Sequence, residues 1–208
     1  MKRKVSSILL IAFMVSGMGL MAQEVQTIFR HGAKSSGGYG GAINKFTTIR
    51  GDFANIAGLY GGWYVNHKFL IGIEVAAVTN NLHVPSQFSI DPSRKMSYEY
   101  GQGGLRLDYV MISAKPVHLA FNLFSGAGFT VQYDRFRMEH GNGDLKNGRA
   151  NWFFVAEPGV QVEMNLFKWM RFSPGVSYRA AFGSDAAGLS DKSLSNLSYN
   201  ATLKFGKF

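Results

Sequence analysis

The chain has 208 residues, 46% of them apolar and 17% charged, with 25 glycines, 5 prolines and no cysteine. Without cysteine neither a disulfide scaffold nor a thiolate metal site can form, and abundant glycine beside scarce proline excludes collagen-like and proline-rich disordered chains. Lys and Arg number 22 against 13 Asp and Glu, a formal charge of +9, but Lys2, Arg3 and Lys4 crowd three of those bases into the N-terminus.

Those bases precede the apolar stretch 8–15 and then Met21-Ala22-Gln23-Glu24, the layout of a secretory signal ahead of a small-residue cleavage site. Residues 1–23 are expected to be removed, with 24–36 a short periplasmic tail and 37–208 the folded domain. Removing 23 of 208 residues leaves 185, with 19 bases against 13 acids. That charge is too diffuse to favour nucleic acid as a partner.

The remaining chain holds no run of 18 apolar residues, so a helical membrane span is excluded. Period-2 alternation takes its place. Glycine-rich stretches at 37–49 and 53–65 begin the series. Phe69, Ile71, Ile73 and Val75 then alternate with Gly72 and Glu74, and Leu105, Leu107 and Tyr109 with Arg106 and Asp108. Val117, Leu119, Phe121 and Leu123 follow, then Trp152, Phe154, Val160 and Val162 against Glu157 and Glu163. Phe172, Val176 and Tyr178 alternate with Arg171 and Arg179, and Leu197, Tyr199, Leu203 and Phe205 with Lys204. Eight strands result.

The joints alternate in length. Those at 66–68, 111–115 and 165–169 are short, those at 80–97, 134–150 and 183–196 are long and polar, and Arg50-Gly51-Asp52 alone breaks the pattern. Short turns at one end and long loops at the other are the habit of outer-membrane barrels, and the expected fold is an eight-stranded antiparallel up-and-down transmembrane β-barrel. Gly58, Gly62, Gly72, Gly104, Gly159, Gly175 and Gly206 share the parity of the charged side chains. A narrow barrel interior needs small residues beside large ones, so the charges point inward and the Leu, Ile, Val and Phe outward to lipid. Gly61, Gly101 and Gly103 break that rule. Aromatic residues gather near both strand ends, with Trp63, Phe69, Tyr109, Phe167, Trp169, Phe172 and Phe205 at the turns and Phe53, Tyr98, Tyr133 and Trp152 at the loops. Pro158 and Pro174 fall inside strands of a barrel with no free edge, which predicts bulges there.

Gly37-Gly38-Tyr39-Gly40-Gly41, Asn44-Lys45-Phe46-Thr47, Asn66-His67-Lys68-Phe69, Glu157-Pro158-Gly159-Val160 and the ending Leu203-Lys204-Phe205-Gly206-Lys207-Phe208 together resemble the small outer-membrane β-barrel proteins of Bacteroidetes-type bacteria. The resemblance spans nearly the whole mature chain and implies location and fold, with no activity attached. A terminal aromatic also resembles the signal read by the barrel-insertion machinery, although Phe208 has the opposite parity to Phe205.

No Gly-x-Ser-x-Gly, His-Glu-x-x-His or phosphate-loop motif occurs, and neither a cofactor nor a metal site is expected. His83 and His140, with Ser86, Ser89 or Asp144, are where an outer-leaflet acyl-transfer site would have to be built. The sequence therefore reads as a non-enzyme. Arg94, Lys95, Arg135, Arg137, Lys146 and Arg149 lie in the long loops, where basic side chains can meet phosphates of outer-membrane lipids, including lipopolysaccharide.

The lumen-parity charges are Glu74, Asp108, Glu157 and Glu163 against Arg106, Arg171, Arg179 and Lys204, four of each sign. A hairpin centred on Phe167 sets Glu163 opposite Arg171 and Glu157 diagonal to Arg179, and one centred on His67 sets Tyr60 opposite Glu74. Glu74 with Arg106 and Glu157 with Arg179 are expected to plug the lumen. The expected function is structural or surface-interacting, through external loops whose partner the sequence does not name. A small-solute channel and a lipid-modifying enzyme are the alternatives.

Overall fold

The computed structural model describes residues 36–65, 68–111, 115–134 and 150–206. The expected signal 1–23 and nearly all of the tail lie outside them, as do His140, Asp144, Arg135, Arg137, Lys146 and Arg149.

Eight barrel strands form among the described residues: β1 Ser36–Ile49, β2 Asp52–Val65, β3 Phe69–Val78, β4 Met96–Val110, β5 Val117–Asp134, β6 Asn151–Phe167, β7 Met170–Phe182 and β8 Asn196–Gly206. Each pairs antiparallel with its sequence neighbours. β1 also pairs with β8, from Tyr39↔Gly206 to Phe46↔Tyr199, and so closes the barrel. Closure is what satisfies the backbone of every strand without leaving an edge.

The alternation sorts side chains as the parity required. Glu74 is 0% exposed while its neighbour Ile73 is 64% exposed, and Ile71, Val75, Leu105, Leu107, Leu119 and Tyr199 likewise face outward. Outward aromatic residues pair near both ends, Phe69 with Tyr109 and Trp169 with Phe205 at the turn end, Phe129 with Trp152 and Phe154 with Phe182 at the loop end. Tyr98 departs from its expected place in the outer belt. It points inward, 2% exposed, and its hydroxyl donates to the Ala187 carbonyl at 2.7 Å.

Lumen glycines let the wall curve tightly. Gly62 faces Gly72 and Gly104 faces Gly126 in direct register. A methyl on Gly62 would stand 2.3 Å from the Ile71 carbonyl oxygen, and one on Gly104 would stand 2.4 Å from that of Ser125. The same glycines make room for charge, since Gly72 lies opposite Arg106 and Gly104 opposite Glu74.

The β6–β7 hairpin corrects two expectations. Strand β6 runs to Phe167, so only Lys168 and Trp169 form the turn, and a bulge sits at Asn165/Phe167. The two-residue turn and the one-residue bulge together set the register two positions from the expected one, and Arg171 lies opposite Asn165 rather than Glu163. Neither proline sits in a bulge. Pairing runs through Ala156↔Ala180, resumes at Gly159↔Ser177, lapses again after Gln161↔Gly175 and resumes at Met164↔Phe172, in one register throughout. Pro158 pairs normally with Leu123 on its other side, and Pro174 with Ala201. Both prolines thus interrupt the same seam, and the backbone pairs from Gly159 to Gln161 and at Met164 and Asn165 hold it in one register.

The long connections are less polar in effect than in composition. The 79–95 segment carries Leu82 and Val84 inward, with Leu82↔Tyr98 and His83↔Ser97 extending the sheet. The 183–195 segment turns at Gly188 and forms a short helix, α1 Asp191–Leu194, capped by the Ser190 hydroxyl. Leu82, Val84, Leu189 and Leu194 pack with Ile49, Ile56, Tyr98, Tyr100 and Phe153 into an apolar cluster across the loop end of the lumen. The β1–β2 turn stands at this same end. Arg50 and Gly51 both have positive φ, as a two-residue hairpin turn demands, and the Arg50 N–H donates to Ser193 of α1 at 2.8 Å.

Candidate functional site

The lumen below the apolar cluster holds a chain of opposite charges. Taken from mid-barrel toward the turns, it runs Glu157, Lys45, Glu74, Arg106, Asp108, Lys204, Glu163 and Arg171. Signs alternate at every step. Lys45 Nζ lies 2.7 Å from Glu74 and 2.8 Å from Glu157. Arg106 bridges Glu74 through Nη1 and Asp108 through Nε, the latter at 2.8 Å. Lys204 Nζ lies 3.3 Å from Asp108 and 2.8 Å from Glu163, and Arg171 closes the series on Glu163 at 2.6 Å.

Neutral groups occupy much of the remaining hydrogen-bonding capacity. Ser177 donates to Glu157 Oε1 at 2.6 Å and Gln102 to Glu157 Oε2 at 3.2 Å, while the Tyr100 hydroxyl donates to Gln102. The Arg106 guanidinium stacks 4.1 Å from the centre of the Tyr60 ring, and the Tyr39 hydroxyl donates to Tyr60. His118 places Nε2 3.4 Å from Glu163. Two of these contacts carry the interrupted β6–β7 seam. Ser177 to Glu157 crosses it beside Pro158, and Arg171 to Glu163 crosses it near Pro174. A charged group removed from water is stabilised only when partners offset its desolvation, and here Arg106 Nη2 alone of that guanidinium's nitrogens is left without one among the described residues.

The expected Glu74–Arg106 and Glu163–Arg171 pairs therefore form, the second on a diagonal. Asp108 and Lys204 join the same network. The expected Glu157–Arg179 pair does not. Arg179 turns toward the loops, donating to the carbonyls of Leu194 at 2.7 Å and Thr48 at 3.1 Å, with its guanidinium 5.1 Å from the centre of the Tyr100 ring. Those carbonyls end α1 and approach the end of β1 inside an apolar cluster, where only a long cationic fork reaches both. Lys45 takes its place beside Glu157. Sequence reasoning missed Lys45 because β1 was recognised by its glycines. The alternation Tyr39, Gly41, Ile43, Lys45, Thr47 would have placed it inside.

Of the loop cations, Arg94 is engaged by its own chain, 3.0 Å from Asp91 and 3.0 Å from Asp134, whereas Lys95 is exposed. The Ser93 hydroxyl holds the Asp91 carboxyl below its usual range. His83 is exposed, and its carbonyl accepts from Arg50.

Neither a family model nor a curated protein sequence matches the chain. Among solved structures, Neisserial surface protein A (NspA) aligns with a TM-score of 0.60 at 10% identity, over 83% of this chain and 97% of that one. The fold is that of a small outer-membrane barrel. A major outer-membrane protein of Thermus thermophilus aligns with a TM-score of 0.49 at 12% identity, over 83% and 99% of the two chains. OprG of Pseudomonas aeruginosa aligns at 0.45 and 16%, over 82% and 95%. At these identities the likeness is one of fold.

Proposed function

We propose that this barrel resides in an outer membrane with the 79–95 and 183–195 segments outside the cell, and acts as a structural or surface-interaction protein rather than an enzyme. The observation that carries the reading is the pairing of an apolar exterior with a filled interior. Ile71, Ile73, Val75, Leu105, Leu107 and Leu119 present a continuous outward face, which hydrocarbon solvates and water does not. Inside, ion pairs and the loop-derived apolar cluster leave the loop-end surface as the place where contact with partners is made. Export through the N-terminal signal, folding by the barrel-insertion machinery and contact of Lys95 with lipid phosphates, lipopolysaccharide included, belong to the same reading. So does the Bacteroidetes-type origin implied by the sequence motifs.

Because the chain has no cysteine, single cysteines report sidedness cleanly. A Lys95→Cys variant on intact cells should react with a membrane-impermeant maleimide, while Lys68→Cys in the opposite turn should react only after the outer membrane is opened. The reverse pattern, or release of the protein from membranes by urea, would overturn the reading.

A further inference from the structure

One cleft stands apart from the charged lumen and from the outward apolar face. It opens at the loop end, has a volume of about 250 Å³, and is walled by Ile90, Tyr98, Thr130, Gln132, Asn151 and Asp185 among others. Its walls are fixed from several elements. Gln132 of β5 donates to the Phe88 carbonyl at 2.8 Å and accepts from Ile90 N–H at 3.0 Å, which ties β5 to the 79–95 segment. Tyr98 holds the Ala187 carbonyl, and Asn151 Oδ1 accepts from the Ser184 hydroxyl and the Asp185 N–H, each at 3.3 Å.

Three polar groups remain uncommitted after that accounting. The Asp185 carboxylate makes no ion pair or hydrogen bond among the described residues. With its Oδ1 occupied, Asn151 has Nδ2 left as a donor, on a side chain tied to the Asp185 backbone in the same wall. Thr130 is 2% exposed, and its hydroxyl has no hydrogen-bond partner among the described residues. A buried hydroxyl left unpaired destabilises the fold, so its retention on the wall of a preformed cleft points to a ligand that completes it.

The chemistry of the occupant follows from the donors and acceptors. A carboxylate next to an amide N–H matches a hydroxyl that donates to one and accepts from the other, and adjacent hydroxyls use both at once. A phosphate or acidic sugar would be repelled by Asp185. An ammonium ion would satisfy Asp185 but face the Asn151 donor. The volume lies below the range of drug-sized pockets and suits one ring. Ile90, Val131 and Ala186 give that ring an apolar wall.

We propose that this cleft binds a single neutral sugar ring, with Asp185 and Asn151 on adjacent hydroxyls and Thr130 completing the set. The inference rests on the proposed outward placement of the loops and names the ligand class they would meet. The sugar is either free or the end of a surface glycan.

The test uses the full chain folded in a sugar-free detergent, lauryldimethylamine oxide, with saturation-transfer NMR on glucose, galactose, mannose and the methyl glycosides of each. At least one should give a saturable signal in the millimolar range. Asp185→Ala should weaken it tenfold or more. Thr130→Val should weaken it several-fold while leaving the unfolding temperature unchanged or higher, an outcome a purely structural hydroxyl would not produce. Binding that tolerates the anomeric methyl group identifies a glycan residue, and binding lost with it identifies the free sugar. No saturable signal from any of the six, signals undiminished in both variants, or binding of ethanolamine alone would overturn the proposal. Maleimide labelling of Asp185→Cys on intact cells tests the placement separately, so sugar binding by a site unlabelled on cells would reject the outward orientation and not the ligand class.

Discussion

Lys45 is the residue on which the lumen network turns. It is the sole cation bonded to Glu157 among the described residues, and it shares Glu74 with Arg106. Lys45→Ala would leave Glu157 with hydrogen bonds but no bonded cation and Glu74 with Arg106 alone, and should destabilise the protein by about 3–5 kcal/mol in urea unfolding from lipid vesicles. A double-mutant cycle of Lys45→Ala with Glu157→Ala should show strong coupling. The cycle of Arg179→Ala with Glu157→Ala should show far weaker coupling, because Arg179 spends its donors on main-chain carbonyls. Equal coupling in the two cycles would contradict the observed pairing. The lumen glycines follow a related logic of space. Gly72→Ala places a methyl 2.3 Å from the Gly61 carbonyl oxygen, backbone that cannot swing aside, and should cost about 1–3 kcal/mol.

At the scale of elements, strand parity and seam strength can each be probed. Ile73 lies on the outward face of β3, so Ile73→Arg should cost about 2–4 kcal/mol in vesicles, with impaired folding read from heat-modifiable gel migration. Tolerance equal to that of an arginine placed at the exposed Ala187 would argue against a hydrocarbon-facing strand. The β6–β7 seam lacks ladder bonds at two places and is crossed there by Ser177 to Glu157 and Arg171 to Glu163. Hydrogen exchange should therefore be faster along this seam than along β4–β5, where pairing is unbroken from Met96 to Val110. Ser177→Ala should accelerate exchange at the Pro158 lapse and leave the opposite wall unchanged. Uniform protection around the barrel would show that the prolines impose no local weakness.

For the molecule as a whole, charge pairs occupy the middle of the lumen and the loop-derived apolar cluster lies above them. An eight-stranded barrel has an interior just wide enough for side chains to fill, and the proposed function takes this one to be filled. Planar-bilayer recordings should show no stable openings. Arg179→Ala removes the fork that holds α1 to the end of β1, so the 183–195 segment should be cleaved faster by protease while the barrel stays folded. Stable conductance in the parent chain would reverse the assignment of a sealed lumen.

The strand series, the direction in which each strand faces, the two ends of unequal loop length and the four inward acids were legible in the sequence, because a period of two fixes the face of every residue once one strand is oriented. The expected set of four inward bases lacked Lys45, which is buried as well. Glu74–Arg106 was legible for the same reason, both residues lying at known heights above short turns. The tertiary structure alone decided which charges meet. The turn at Lys168-Trp169 and the bulge at Asn165/Phe167 set the β6–β7 register, long side chains reached diagonally and across the lumen, and Lys45 came to Glu157 from a strand 112 residues away in sequence. The apolar closure by Leu82, Val84, Leu189 and Leu194 was hidden likewise, since connections of polar composition carry no periodicity and their few apolar residues acquire a common direction only when both segments fold over the same barrel mouth.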